Sequence, residues 1–464
     1  MSENNLGQDR REFLCALMGL GVLATTASAA RSPQIDYDLT LDDTFILNEY
    51  ARRSFRFFVE QSNDSTGLIL DRAGADGTVP KNPVSSIAAT GFGLTAFCIG
   101  AERGWISAEE ARVRTLKLLR FLRKEAPQVH GFFLHFMNPE TGEPRFNSEF
   151  SSIDTAILLG GVLIAGQYFA NDPEIPVLAK QIYDRVDFAW MLDNKTLQLR
   201  HGFRPGEGFI RYRWDRYSEA SILYILAMGS ATHPIPGRSW YSWSRPRVRY
   251  NGWSFISGGP LFTHQFSHAW IDFRQIRDAQ GMDFFQNSVY ATYAHRSFCL
   301  SLKHRFSDFG PNLWGVTASD SPGGYLAWGG PPIEGPINGT IVPCASAGSL
   351  MLAPEICLPV LREMLSKYGD TVYGRYGFAD AFNPQWQGGG LWVDPDVVGI
   401  DIGISLLSID NLQNGHTWEW FMRTPYAQRG IRKARFTQAP AIQAPDWSQR
   451  LARVGNKTRL SPIE

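Results

Sequence analysis

Apolar segments of two kinds alternate along the chain, and both kinds have the length of α-helices. Residues 86–103, 151–166 and 219–229 are apolar on almost every side. Residues 107–124 and 175–191 instead place their apolar side chains on one face, at helical spacing. Helices that are apolar all round belong inside a protein, and striped helices pack one face against its core. The alternation predicts an all-α fold, the (α/α)6 toroid, in which about twelve helices form a double ring.

Apolar spacing and capping signals together predict where the helices begin and end. Ser107 and Glu110 form a capping box, and Pro354 is a point at which another helix can divide. The predicted helices are 43–61, 86–103, 107–124, 151–169, 175–191, 217–229, 264–279, 282–302, 345–366, 398–411 and 413–421. Long connections rich in Gly, Pro and Trp occur at 126–150, 195–215, 230–262, 306–343 and 380–396. Connections of that length are usually functional, so we expect them to form a cleft at one end of the ring.

Segments at the two ends of the sequence are predicted to lie outside the toroid. Residues 1–30 read as a twin-arginine signal peptide, with Arg10-Arg11 before an apolar run and a cleavage site at Ala27-Ser28-Ala29. That run is too short to span a bilayer. We therefore expect a periplasmic protein that is not inserted in the membrane after signal removal. A catalytic domain is predicted over 31–430, followed by a C-terminal tail over 431–464 that forms a strap or a partly disordered segment.

Charge and composition narrow the class of ligand. The formal net charge is zero, which argues against a nucleic-acid partner, because nucleic acids bind to basic surfaces. Aromatic residues make up 13% of the chain, enough to line a cleft for sugar rings, although they can equally be core residues. The cysteines beyond the signal, at 98, 299, 344 and 357, show no C-x-x-C spacing, so we expect buried free thiols and no zinc site.

Carboxylates recur where apolar helices are predicted to begin. In a helical ring, inner helices that start at the same end bring their N-termini around one mouth. Acids at those N-termini would then share one cavity, and two separated carboxylates are what glycosidic bond hydrolysis requires. The acids in such positions are Glu149, Asp154, Asp215, Glu219, Asp380, Asp394, Asp396 and Asp401.

Structural alternatives remain open for most of these acids. Asp154 can favour the dipole of its helix. Asp215 lies four residues before Glu219, on the same predicted helix face, and can pair with Arg213 or Arg216. Asp394 and Asp396 flank a proline, which is typical of helix capping. Glu219 and Asp401 lie within apolar runs, where a carboxylate without a partner would be costly, and they are the strongest catalytic candidates.

Histidine and tryptophan residues add candidates for the cleft wall. His264 and His268 are four residues apart, but no glutamate completes a zinc motif, so no metal site is predicted. His268, Trp270 and Asp272 are typical of a polar wall or of a satisfied buried network. Tryptophans close to the acids would suit sugar subsites, although each can be a core residue; they are Trp214, Trp270, Trp328, Trp386 and Trp392.

Several long motifs, in the same order, resemble one known family. They are SSIDTAILLGG, YSEASILYILAMGSATHPI, FTHQFSHAWIDFRQIRDAQGMDFFQNSVYAT, GGYLAWGGPPIEGPINGTIVPCASAGSL, YGFADAFNP and GIDIGISLLSIDN. Over residues 45–425 the chain resembles the glucoamylase-like proteins, the group that contains glycoside hydrolase family 144, bacterial β-1,2-glucanases with the (α/α)6 fold. The resemblance implies inverting hydrolysis of β-glucan, with Glu219 as general acid and Asp401 as base. It also places Glu149 and Asp154 at the substrate cleft.

The resulting prediction is an exported β-glucanase, most specifically a β-1,2-glucanase, that binds an oligo- or polysaccharide and needs no cofactor. Departures from the family pattern, such as Asn338 where relatives carry Asp, affect the expected glucan and the choice between endo and exo action. A transglycosylase or cyclic-glucan-processing enzyme, and a non-catalytic glucan-binding protein, remain alternatives. The predicted substrate-binding residues are Glu149, Asp154, Trp214, Asp215, His268, Trp270, Asp272, Trp328, Asp380 and Trp392.

Overall fold

Helices dominate residues 39–386 and 390–439, the part of the chain that the computed structural model describes. These residues form fourteen α-helices. They are α1 (Leu41–Glu60), α2 (Ile87–Glu102), α3 (Ala108–Lys124), α4 (Ser152–Tyr168), α5 (Ile175–Asp184), α6 (Phe188–Met191), α7 (Ser221–Gly229), α8 (Phe266–Trp270), α9 (Phe284–Ser301), α10 (Pro343–Ala347), α11 (Pro354–Tyr368), α12 (Gly399–Gln413), α13 (His416–Arg423) and α14 (Pro425–Lys433). The predicted signal peptide and residues 440–464 of the predicted tail lie outside the described residues.

Two layers of helices alternate in chain order. Helices α2, α4, α7 and α12 are buried along almost their whole length. Helices α1, α3 and α5 between or beside them bury only one stripe. The short buried helices α8 and α10 complete the inner layer. This double ring confirms the predicted (α/α)6 toroid.

The inner helices start at one end of the ring, the mouth. The backbone N–H of Ile87, at the start of α2, donates to the carbonyl of His135. The backbone N–H of His135 in turn donates to the carbonyl of Glu149, just before α4. At the start of α4, Ser152 Oγ accepts a hydrogen bond from the indole N–H of Trp214, which precedes α7. At the start of α12, the N–H of Gly399 donates to the backbone carbonyl of Asp71, and Gly399 itself packs close to Ala89 of α2. These bonds make the N-termini of successive inner helices neighbours.

Short antiparallel strands hold the chain in place just before several inner helices. Strand β2 leads into α2, β6 into α4 and β20 into α12. The strands are β1 (Arg72–Gly74), β2 (Ser85–Ser86), β3 (Gln128–Val129), β4 (Phe132–Phe133), β5 (Phe136–Met137), β6 (Phe150–Ser151), β7 (Leu192–Asp193), β8 (Gln198–Leu199), β9 (Gly202–Arg204), β10 (Gly208–Phe209), β11 (Arg247–Tyr250), β12 (Trp253–Ile256), β13 (Ile276–Arg277), β14 (Ala318–Ser319), β15 (Leu326–Ala327), β16 (Tyr373–Gly374), β17 (Gly377–Phe378), β18 (Phe382–Trp386), β19 (Gly390–Val393), β20 (Asp396–Val398) and β21 (Thr437–Gln438). The pairings are β1–β20, β2–β5, β3–β4, β6–β9–β10, β7–β8, β11–β12, β13–β21, β14–β15, β16–β17 and β18–β19.

Several predicted helices differ from the observed ones. The helix predicted over 264–279 ends at Trp270, and the one predicted over 175–191 is interrupted because Asp187 caps a new turn through the N–H of Trp190. The helix predicted over 345–366 does divide, and its second part begins at Pro354. Helix α14 was not predicted; Thr424 caps it, and it crosses the predicted domain boundary at residue 430.

Helix α14 takes an outer position against α7. A side chain at Gly229 would meet the carbonyl of Tyr426, and one at Gly430 would meet the carbonyl of Ile225, so the two backbones are in close contact. The first residues of the predicted tail are therefore part of the packed ring. The four described cysteines are buried free thiols, as predicted. No helix in the described ranges has both the length and the hydropathy needed to cross a membrane.

Glycines allow α2 and α4 to pack closely. A Cβ atom at Gly161 would lie 2.0 Å from the carbonyl oxygen of Gly91, much closer than real Cβ contacts. We expect Gly161→Ala to lower the free energy of unfolding by about 1–3 kcal/mol, because two backbones would have to move apart. Urea or thermal denaturation would measure this loss. Gly310→Ala is the control, since its nearest heavy atom would be 3.9 Å away; equal stability of the two variants would contradict the prediction.

Candidate active site

Carboxylates from three inner-helix N-termini and from one loop lie at the mouth of the ring. They belong to Glu149, Asp154, Glu219, Asp380 and Asp401, and each residue is only 4–6% exposed. Buried carboxylates need compensation from hydrogen bonds, positive charge or bound protons. His135 lies against Glu149 and Asp154, and Asp380 accepts a hydrogen bond from a backbone N–H.

Glu219 ends the loop that leads from Trp214 into α7. Its backbone carbonyl accepts a hydrogen bond from Ser267 Oγ at 2.5 Å, and the same hydroxyl accepts one from the N–H of Ile222 at 2.9 Å. Ser267 belongs to α8, so it ties the starts of two inner helices together. This tie fixes the backbone of Glu219 at the mouth.

Asp215 and Glu219 do not share a helix face, contrary to the prediction. Helix α7 begins only at Ser221, because bridges to Arg200 and Ser244 hold the preceding residues in an extended loop. Asp215 is consequently exposed, whereas Glu219 is buried. Arg213, one proposed partner of Asp215, directs its guanidinium to Asp193, with Nε 2.5 Å from Oδ2.

His135 connects the two acids at the start of α4. Its Nδ1 atom is 3.3 Å from Glu149 Oε1, and its Nε2 atom is 3.6 Å from Asp154 Oδ1. Asp154 lies in the first turn of α4, where its N–H donates to Ser151 Oγ at 3.2 Å and its carboxylate accepts from that hydroxyl. The predicted dipole role of Asp154 and its position at the mouth are therefore compatible.

A second group of acids surrounds the start of α12. Asp401 lies in its first turn, and its negative charge helps to raise the pKa of Asp380. Oxygens of Asp320, Asp380 and Asp394 lie within 4.8 Å of one another. Asp380 Oδ2 accepts the N–H of Asp320 at 2.8 Å. These four acids (Asp320, Asp380, Asp394 and Asp401) are referred to as the aspartate cluster.

Arg72 is the cation that faces the aspartate cluster. Its guanidinium pairs with Asp320 and with Asp71, the latter at 3.2 Å between Nε and Oδ2. Burial and the closeness of the other carboxylates both disfavour the ionised form of a carboxyl group in this cluster. Burial raises the pKa of Asp380 well above its usual value, and the neighbouring carboxyls raise it further. Burial likewise raises the pKa of Asp394 to about 7.

The cluster also changes the interpretation of Asp394. The sequence favoured a capping role at the start of α12, but the residue at the N-cap is Val398, which makes no side-chain cap. Asp394 Oδ1 instead accepts the N–H of Asp396 at 3.0 Å, closing a turn beside the cluster. Capping of α12 by Asp394 is therefore wrong.

A basic side chain contacts each of the two acidic groups: the imidazole of His135 lies against Glu149 and Asp154, and the guanidinium of Arg72 pairs with Asp320. In each group, three side chains also place their ligand atoms close enough together to hold a metal ion; they are His135, Glu149 and Asp154 in one and Asp320, Asp380 and Asp394 in the other. The absence of a metal and of a cofactor stays a prediction.

The predicted aromatic wall residues differ in their access to the mouth. Trp214 is buried, stacks on His201 at 3.9 Å and donates to Ser152 Oγ at 3.0 Å. Trp328 is also buried and donates to Ser319 Oγ at 2.8 Å. Trp392 is half-buried on β19, opposite Asn383. Trp392 is therefore the one of these three that is partly exposed.

Three predicted substrate-binding residues lie elsewhere. Trp270 is 0% exposed and packs its ring 4.8 Å from that of Phe92, so it is a core residue. His268 is enclosed as well; its Nε2 atom is 2.9 Å from Ser288 Oγ, and burial lowers its pKa to about 3. This agrees with the buried network that the sequence left open and contradicts substrate binding.

Asp272 lies at the opposite end of the ring. It follows the C-terminus of α8 and pairs with Arg274, with Oδ2 2.9 Å from Nη2. That guanidinium stacks over Trp418 at 4.1 Å, and Trp418 follows the C-terminus of α12. A substrate-binding role at the mouth is therefore wrong for Asp272.

Sequence reasoning missed His135, Asp320 and Arg72. His135 stands alone as a polar side chain within GFFLHF, and such an interruption of an apolar run was an available signal. Asp320 lies in a long loop and Arg72 beside Asp71, and neither position has a sequence pattern that indicates a site. Only the tertiary fold brings them to the mouth.

Contacts through the ring interior connect Glu219 to Asp401. Gly403, two residues after Asp401, packs against Phe92 of α2. The ring of Phe92 contacts that of Phe266 at 5.8 Å, and the next residue is Ser267, which holds Glu219. The two strongest catalytic candidates thus lie near the starts of different helices at the same end of the ring.

Comparison with known proteins adds a family to this geometry. Residues 211–425 match the Glycoamylase family model, described as "Putative glucoamylase". The exo β-1,2-glucooligosaccharide sophorohydrolase (non-reducing end) of Parabacteroides distasonis is 28% identical over 448 residues, which cover 88% of this chain. The chain spans 59% of the length of that relative.

Two solved structures match this chain over nearly their full length. The endo-β-1,2-glucanase of Chitinophaga pinensis, in complex with sophorotriose and glucose, has a TM-score of 0.79 and 28% identity, covering 86% of this chain and 99% of that one. A "putative glucoamylase" of Bacteroides caccae has a TM-score of 0.79 and 30% identity, covering 85% and 100%. The chain therefore belongs to the glucoamylase-like family, whose matched members include proteins named as β-1,2-glucan hydrolases.

Proposed function

We propose that the protein is an exported glycoside hydrolase that cleaves β-1,2-linked glucan with inversion at the anomeric carbon. The observation that carries this proposal is the placement of Glu219 and Asp401 at the starts of two inner helices on one mouth. The names of its relatives in Parabacteroides and Chitinophaga support the linkage. Export rests on the twin-arginine sequence alone.

Each carboxyl has a distinct role in the proposed reaction. Glu219 protonates the glycosidic oxygen as the bond to the leaving sugar breaks, and Asp401 removes a proton from the attacking water, directly or through a sugar hydroxyl. Asp401 lies in the first turn of α12, where the helix dipole favours its ionised form. Glu149, Asp154 and half-buried Trp392 would hold the flanking sugars.

Substrate specificity is the first test. Purified protein without its signal segment would be incubated with linear and cyclic β-1,2-glucans, laminarin and cello-oligosaccharides, and the products separated by chromatography. We expect soluble sugars from β-1,2-glucan only. Release from laminarin alone would contradict the linkage, and longer or cyclic products at high substrate concentration would indicate transglycosylation.

Removing either catalytic carboxylate is the second test. We expect Glu219→Gln and Asp401→Asn each to lower kcat by at least about 100-fold while substrate binding is retained, because general acid–base catalysis contributes at this level. Glu102→Gln, at the opposite end of the ring, is the matched control. Retention of wild-type kcat by either active-site variant, with its fold confirmed by circular dichroism, would refute its role. Binding without any hydrolysis by the wild type would favour a glucan-binding protein.

The stereochemical course is the third test. An inverting enzyme acting on a β-linked glucan releases the α-anomer first, before mutarotation equilibrates the two forms. Time-resolved proton NMR of the new reducing end would show this order. If the β-anomer appears first, the reaction proceeds with retention and the assignment of Asp401 as a base is wrong.

A further inference from the structure

The hairpin formed by β18 and β19 is anchored on the aspartate cluster. Asp380 comes shortly before β18, and Asp394 directly follows β19. At the base of the hairpin, the N–H of Asp394 donates to the carbonyl of Ala381 at 2.9 Å. The N–H of Asp380 donates at 3.1 Å to the carbonyl of Asp396, on the strand that leads into α12. The hairpin therefore starts and ends at two acids of the mouth.

Exposure increases along this hairpin with distance from the acids. Phe382 and Asn383, at its base, are fully buried. Farther along, Trp386 and Trp392 are half-buried, and Gly390 is exposed. The hairpin therefore extends from the buried acids of the mouth to the surface of the protein.

Both tryptophans of the hairpin lie on the same face. Asn383 pairs with Trp392, and Trp386 pairs with Gly390. Paired residues of an antiparallel ladder share a face, and so do residues two apart on one strand. Gly390 and Trp392 are two residues apart, so the two indoles and Asn383 are on one face. Because Gly390 has no side chain, none lies across the ladder from Trp386.

Asn383 shows what this face is turned toward. Its Nδ2 atom donates to the carbonyl of Asn338 at 3.0 Å and is 3.4 Å from Thr340 Oγ1. The next residue of that loop, Ile341, forms a bridge with Phe382 at the base of the hairpin. Polar groups of the loop thus border the face that carries the indoles. Aromatic rings beside a few polar groups suit a sugar, which presents both C–H faces and hydroxyls.

Stacking partners distinguish these tryptophans from another half-buried one. Trp190 stacks on His130, with 4.2 Å between the ring centroids. Within residues 39–386 and 390–439, no aromatic ring or cationic side chain stacks on Trp386 or Trp392. Trp392 packs against the hydrophobic core, which fixes its position. Stacking contacts therefore remain available to a ligand on this face.

We propose that Trp386 and Trp392 form a platform on which the glucan chain lies as it leaves the catalytic acids. This inference rests on the proposed function and deepens it. Trp392, two residues from Asp394, contacts a sugar unit close to the acids. Trp386 is six residues from Asp380, on the order of 15–20 Å along a strand, and contacts a unit farther out. Long chains thus gain a contact that the shortest ones lack.

Chain-length dependence of the kinetics tests the platform. We expect Trp386→Ala to raise KM for long β-1,2-glucan roughly 3- to 10-fold, the value of one aromatic stacking contact, with kcat unchanged. Trp386→Phe keeps an aromatic ring and should restore KM. Trp392→Ala should weaken short and long substrates alike. Leu391→Ala is the matched control, because Leu391 is exposed on the opposite face of the same hairpin.

Calorimetry measures the same contact without catalysis. In the Glu219→Gln background, Trp386→Ala should raise the Kd of long linear β-1,2-glucan roughly 3- to 10-fold and leave that of the disaccharide sophorose unchanged. Circular dichroism would confirm that each variant is folded. Wild-type KM and Kd for long glucan in Trp386→Ala, or equal losses for long and short ligands, would overturn the proposal.

Failure of the proposed function would look different. If the wild type cleaves none of the glucans, the assignment of the reaction falls, while calorimetry still tests the platform. If the wild type cleaves β-1,2-glucan and Trp386→Ala behaves as Leu391→Ala does, only the platform is wrong. A wild type that binds no glucan at all would overturn both.

Discussion

The shared direction of the inner helices is the constraint on which both fold and site depend. Because α2, α4, α7 and α12 start at the same end, their positive dipole ends meet around one opening. Carboxylates placed there are stabilised by the fold itself, and the rest of the molecule serves to hold those helix ends in position. Short strands before α2, α4 and α12 and the hydroxyl of Ser267 do this. The same alignment that buries the apolar helices therefore concentrates the acids.

The two acidic groups of the mouth have different surroundings. At the start of α4, one histidine lies between Glu149 and Asp154. At the start of α12, the guanidinium of Arg72 pairs with Asp320, and burial raises the pKa of Asp380 and of Asp394. Burial by the fold therefore favours the protonated forms of these two aspartates.

Sequence patterns were sufficient for the architecture but not for the site. The alternation of fully apolar and amphipathic segments predicted the double ring, because a helix that is buried on every side has apolar residues on every side. Periodicity could not show that Asp272 lies beyond the last turn of α8, because apolar residues continue past that end. It also could not show that α7 begins at Ser221, because bridges to Arg200 and Ser244 hold the preceding residues in a loop. For the same reason Trp270 and Trp392 looked alike in the sequence, although one is core and the other half-exposed. Arg72 shows this limit most clearly, since its partner Asp320 is 248 positions away.

The position of α14 against α7 affects the order in which this chain folds. One side of α7 is covered by a helix formed from Pro425–Lys433, close to the end of the described chain. During synthesis, that side of α7 stays uncovered until nearly all of the preceding residues have left the ribosome. Ring closure is thus a late event, and a nascent chain stalled before residue 425 would expose an apolar groove to chaperones.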